Sequence, residues 1–197
     1  MLDSLEQLLV VFNAAPENYQ ATLVAMEKTK NGWIAKSNPI PASIGRNGFA
    51  NPGEKREGDG KSPTGLFGLG QLFCYEQNVK TSIPFIQTTD ADKWIDDPGS
   101  KDYNKHIRGE TDAKSYENLK LRSNAYKYCM VIEYNTHPVV KNMGSAIFFH
   151  LGSEYEPTSG CVAIDEKNMK FILTWLHPKY KPAIIMGTET ILLNGLK

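Results

Sequence analysis

Residues 125–134, AYKYCMVIEY, alternate with a period of two. Tyr126, Tyr128, Met130, Ile132 and Tyr134 fall on one face, and Lys127, Cys129, Val131 and Glu133 on the other. Successive side chains of a strand point to opposite faces, so such a run packs as a β-strand rather than a helix. Short apolar runs of this kind recur along the chain. QLLVVF (7–12) and ATLVAMEKT (21–29) flank the loose loop NAAPENYQ, which predicts a hairpin. GWIAKS (32–37) follows the turn dipeptide Asn31-Gly32, a strong signal for a tight hairpin. SAIFFHLG (145–152) is mostly apolar and reads as a central strand, and AIIMG (183–187) and TILLN (190–194) as two short closing strands. One segment breaks the pattern. Met169, Ile172, Leu173 and Leu176 stand at i, i+3, i+4 and i+7 of a helix over 166–176, with Asp165 as N-cap and Pro178 beyond its end. Residues 88–122 are polar and turn-rich and are expected to be irregular. The whole predicts a mainly β fold with a few helices, formed by residues 1–197 as one domain.

Lysine plus arginine number 22, as do aspartate plus glutamate, so the formal net charge is zero. Binding driven by phosphates needs a surplus of basic charge, so no nucleic-acid partner is expected. No apolar run reaches the ~20 residues that span a bilayer, so no membrane span is expected either. The start, MLDSLEQLLVVF, lacks the positive stretch and small-residue cleavage site of a secretory leader. That leaves two locations: the cytoplasm, or the cell envelope for a mature form whose leader has been removed. The three cysteines, Cys74, Cys129 and Cys161, are odd in number and form no CxxC. Neither a disulfide framework nor a structural zinc site is supported.

Three glycine- or acid-rich motifs fail on spacing. GDGKS (58–62) has Lys55 where a phosphate-binding loop needs glycine. GLFGLG (65–70) reverses the glycine order of a dinucleotide fingerprint. DADKWIDD (90–97) lacks the glycine and terminal glutamate of a calcium loop. FFHLGSEYEPTSGCVAID (148–165) survives. A cysteine nucleophile needs a base for its proton and donors for an oxyanion. His150 ends a strand, and Cys161 follows eleven residues later, after Gly160, where a bare Cα lets substrate approach. The N–H groups of Ser159, Gly160 and Cys161 are candidates for an anion-binding nest. The residues alone leave the pair open between a nucleophile with its base and a buried histidine beside a buried thiol.

Several blocks, in order, resemble the L,D-transpeptidase catalytic domain of YkuD type: IGRNGF (44–49), KREGDGKSPTGLFGL (55–69), WIDDPGSKDYN (94–104), VIEYN (131–135), GSAIFFHL (144–151) and PTSGCVAID (157–165). Ser159 stands where the better-known branch has histidine, and no arginine follows Cys161, which marks another branch of the family. The resemblance implies a β-sandwich or barrel-like fold. It implies a cysteine acyltransferase of the cell envelope acting on peptidoglycan peptide stems, with Cys161 as nucleophile, His150 as base, and Gly160 and Ser159 beside them. The backbone carbonyl of Leu151 or Gly152 would orient the imidazole. Arg46 and Lys61 would bind substrate carboxylates, and Tyr103, Asn104, Tyr134 and Asn135 would line the cleft. His106, His137 and His177 are assigned surface or structural roles. No metal or organic cofactor is called for, and carbapenems would acylate Cys161. A carboxypeptidase trimming the same stems and a non-catalytic wall-binding module are the alternatives.

Overall fold

A computed structural model describes residues 4–15 and 17–195. Thirteen strands and two helices are found among the described residues. In chain order they are β1 (Gln7–Asn13), β2 (Gln20–Thr29), β3 (Gly32–Ala35), β4 (Ile40–Ser43), β5 (Gly65–Cys74), β6 (Phe85–Gln87), β7 (Asp92–Ile95), β8 (His106–Arg108), β9 (Tyr116–Asn118), β10 (Tyr128–Ile132), β11 (Phe148–Leu151), β12 (Val162–Ile164), α1 (Glu166–Trp175), β13 (Ala183–Thr188) and α2 (Glu189–Gly195). The fold is mainly β, as the alternating runs predict.

Hydrogen bonding runs β1–β13–β5–β10–β11–β12–β4–β2, and β2 pairs back onto β1, closing a barrel-like ring. β3 extends β2, and β6 extends β5. Closure removes the sheet's free edges. The pairs β1–β13 and β11–β12 are parallel. Inside, Leu9, Leu23, Ile44, Leu72, Met130 and Phe149 form one apolar cluster. Helix α1 adds Met169, Ile172 and Leu173 to it, and its C-cap Leu176 joins them, so all four residues of the expected stripe are in the cluster. Each fully buried aliphatic side chain contributes roughly 1.5–3 kcal/mol, enough to hold a helix this short. Asp165 caps it, accepting the Asn168 N–H at 3.1 Å.

Four expectations are corrected. Residues 190–194 are helical, because Thr188 ends β13 and its Oγ1 accepts the Ile191 N–H at 3.3 Å, starting α2. The 31–32 turn forms one residue earlier: Gly32 pairs with Thr29, so Lys30 and Asn31 make the loop. Strand β10 begins only at Tyr128, so Tyr126 leaves the face it was assigned and packs with Phe148 in a second cluster. Residues 88–122 are not irregular throughout, since β8–β7–β9 form a small sheet. Its centre is polar. The buried Asp92 carboxylate accepts from Arg108 at 2.8 Å and pairs with His106 Nε2 at 2.7 Å. Burial alone would raise the Asp92 pKa. The bonds from Arg108, Thr89 and His106 outweigh it and hold the carboxyl well below its usual range. Trp94 and Leu119 of this layer join the second cluster with Cys129, Val131, Phe148 and Cys161. Strands β10 and β11 are thus covered on both faces.

Candidate active site

His150 and Cys161 are brought together by the parallel pair. His150 of β11 stands opposite Ala163, and Phe149 opposite Val162, which puts Cys161 at the entrance to β12. Both residues line one cavity of about 780 Å³, and both are nearly buried, at 8% and 5% exposure. The thiol lies against the backbone of 146–148: Sγ donates to the Ala146 carbonyl at 3.3 Å and accepts the Phe148 N–H at 3.4 Å. Ala146 has a φ of 51°, a left-handed conformation costing a residue with a Cβ about 1–2 kcal/mol. Asn104 holds it there, accepting the Ala146 N–H on Oδ1 at 3.1 Å.

His150 Nδ1 lies 2.8 Å from the Leu151 carbonyl and donates to it, which leaves Nε2 with the free lone pair of a base. This carbonyl is one of the two named from the resemblance. Tyr126 packs edge-on against the imidazole, with centroids 5.0 Å apart. Burial lowers the His150 pKa to about 4, against the favourable carbonyls of Leu151 and Ala125. Burial also pushes the Cys161 thiol up, and Glu117 adds to that; the Phe148 N–H and Lys55 oppose it. Burial thus favours the neutral thiol and the neutral imidazole over a preformed ion pair.

Of the other residues singled out, Gly160 and Ser159 also line the cavity. Gly160 has a φ of 153°, and a Cβ there would meet the Lys61 carbonyl oxygen at 2.9 Å. Its N–H is donated to Thr158 Oγ1 at 3.1 Å, so it is not free for a nest. The remaining six do not line the cavity. Arg46 lies outside it and donates to Ser159 Oγ at 2.8 Å. Lys61 meets Asp59 through its backbone N–H at 2.8 Å. Asn104 is buried behind the site, donating to the carbonyls of Tyr134 and Asn135 at 3.1 and 2.8 Å and accepting from Trp94 Nε1 at 2.9 Å. Asn135 donates to the carbonyls of Val140 and Gly144, both at 2.8 Å, and Tyr134 donates to that of Met143 at 2.6 Å. Tyr103 donates to Glu57, which also accepts from Ser145 at 2.7 Å. These four tie together the segment that carries Ala146.

Five wall residues that sequence reasoning missed are Lys55, Glu57, Asp96, Glu117 and Tyr126. Tyr126 donates its hydroxyl to Glu117, and burial raises the Glu117 pKa. Lys55, Glu57 and Asp96 lie inside quoted blocks, which was their only signal. Ser62, in the GDGKS stretch, connects two blocks. Its buried hydroxyl accepts the Gly45 N–H at 3.0 Å and donates to the Gly160 carbonyl at 2.7 Å.

No helix among the described residues is long and apolar enough to cross a membrane. No curated protein and no solved structure matches the chain closely enough for comparison. The family model of the L,D-transpeptidase catalytic domain, YkuD, matches residues 15–185. That span holds the ring from β1's partner strand β2 onward, the small sheet, His150 and Cys161, and the chain belongs to the YkuD family of L,D-transpeptidase catalytic domains.

Proposed function

We propose that the protein is a cysteine acyltransferase that cross-links peptidoglycan peptide stems in the cell envelope, with residues 1–197 taken as one catalytic domain. The observation that carries this reading is the shared cavity of Cys161 and His150, with the imidazole oriented by Leu151 so that Nε2 is free. As Sγ attacks the carbonyl between the diamino acid and the terminal D-alanine, Nε2 takes its proton. The carbonyl electrons move to oxygen, and the N–H groups of Ser159 and Cys161 are the candidate donors. Collapse of the adduct breaks the C–N bond, and His150 returns the proton to the leaving amine. D-alanine departs and a thioester remains on Cys161. An amine of a second stem then attacks the thioester, forming a new amide and restoring the thiol.

The neutral resting pair favours general-base activation during attack over a standing thiolate. Incubation with disaccharide-tetrapeptides followed by mass spectrometry tests the reading. A released D-alanine together with a cross-linked dimer is expected. D-alanine without dimer would make the protein a carboxypeptidase, and binding without turnover a wall-binding module.

A further inference from the structure

The proposed substrate carries free carboxylates, yet Arg46 and Lys61 stand outside the cavity. Among the described residues that line it, Lys55 is the one lysine or arginine, and it is 4% exposed. Its Nζ donates to Asp59 Oδ1 at 2.7 Å and to the Arg56 carbonyl at 2.6 Å. An ammonium has three donors, so one is left for a ligand. Asp59 does not serve Lys55 alone, since its carboxylate also accepts the N–H groups of Arg56 and Lys61, at 2.7 and 2.8 Å. Gly144 packs closely against the end of Lys55: a Cβ there would press on Nζ and Cε at 3.2 Å. Gly144 begins the segment whose Ala146 carbonyl meets the Cys161 thiol.

We propose that Lys55 is a specificity-determining residue whose third N–H anchors a carboxylate of the peptide stem in the cavity beside Cys161. This rests on the stem-peptide reading above. The rest of the wall sharpens the selection. Glu57, Asp96 and Glu117 also line the cavity, and Asp96 Oδ1 is buried with no hydrogen-bond partner among the described residues. A carboxylate placed against them meets like charge, so the ligand's anion has one favourable place and the stem one register. The buried ammonium is also poorly hydrated, which strengthens a charge-assisted bond.

Equilibrium binding to the Cys161→Ala protein tests this without turnover. The probes are a free tetrapeptide stem and derivatives in which each of its carboxylates in turn is amidated. Amidating one of them should weaken binding about 10- to 100-fold, and that derivative identifies the anchored group. With Lys55→Met added, the free stem should bind as weakly as that derivative. The Lys55→Met/Asp59→Asn pair removes both charges together and covers a misfolded single variant. Equal binding of all derivatives, or the same amide penalty with and without Lys55, would overturn the anchor alone. Failure of every stem to bind would overturn the stem-peptide reading and the anchor with it.

Discussion

Replacing Ser62 by alanine removes one hydroxyl from a site with no solvent exposure. Three contacts depend on that oxygen: the Gly45 N–H at 3.0 Å, the Gly160 carbonyl at 2.7 Å and the Cys161 carbonyl at 3.3 Å. The last of these keeps a better partner, Thr158 Oγ1 at 2.7 Å. Two buried polar groups lose the serine and keep no other protein partner among the described residues. Each such group costs about 1–3 kcal/mol, so the variant should lose about 2–6 kcal/mol of stability. In urea the midpoint should fall with an unchanged slope, and the melting temperature should drop by roughly 4–24 °C. Gly160, released on one side, should let the thiol drift from His150. A misplacement of about 1 Å can cost on the order of a hundredfold in rate, so turnover should fall by more than the loss of folded protein explains. A stability change below about 0.5 kcal/mol, with normal thiol alkylation, would refute the claim that this hydroxyl holds the cysteine loop.

Cys161→Ala should abolish D-alanine release and leave the fold intact, while Cys74→Ser and Cys129→Ser keep the chemistry; intact mass after carbapenem exposure should show one adduct, mapped to Cys161. Burial keeps His150 neutral, so the unfolded chain binds its proton first as pH falls. The protein should lose stability from about pH 6.5 down to about 4, by about 3 kcal/mol at ~1.4 kcal/mol per pH unit, and His150→Gln should flatten that limb in urea titrations at several pH values. Gly160→Ala forces a Cβ to 2.9 Å from the Lys61 oxygen at a φ of 153°, whereas Gly58→Ala, at a φ of 71°, meets open space. The first should cost clearly more than the ~1–2 kcal/mol of the second, and equal midpoints would contradict the crowding at Gly160.

That His150 and Cys161 come to one cavity was legible because they sit in one contiguous stretch whose strands the apolar pattern reveals. The helix behind them was legible for the same reason, its stripe being long enough to fix a period. TILLN was misread because three apolar residues carry no period, and the deciding group, the Thr188 hydroxyl, lies outside the run. The small sheet escaped because its centre is an Asp92–His106–Arg108 cluster, whose attraction leaves no trace in hydropathy. Among the site residues, the limit was direction. Tyr103, Asn104, Tyr134 and Asn135 belong to recognisable blocks, but sequence does not say that their polar atoms point into the scaffold. The burial of the Lys55 ammonium left no trace in the sequence, because it follows from loop geometry that Asp59 imposes.

The parallel ladder between β11 and β12 separates two tasks that a single loop would otherwise confound. His150 is registered against Ala163, and the Gly152 N–H continues the ladder to the Ile164 carbonyl at 2.9 Å. The relative placement of His150 and Cys161 is therefore written in strand register and in the Ser62 tie, not in residues 153–157 between them. Natural variation or laboratory grafting that lengthens, shortens or recolours that stretch should leave His150 and Cys161 in place. Under the proposed function, substrate preference would be an evolvable trait carried by that exchangeable cassette, with the chemistry held in the ladder.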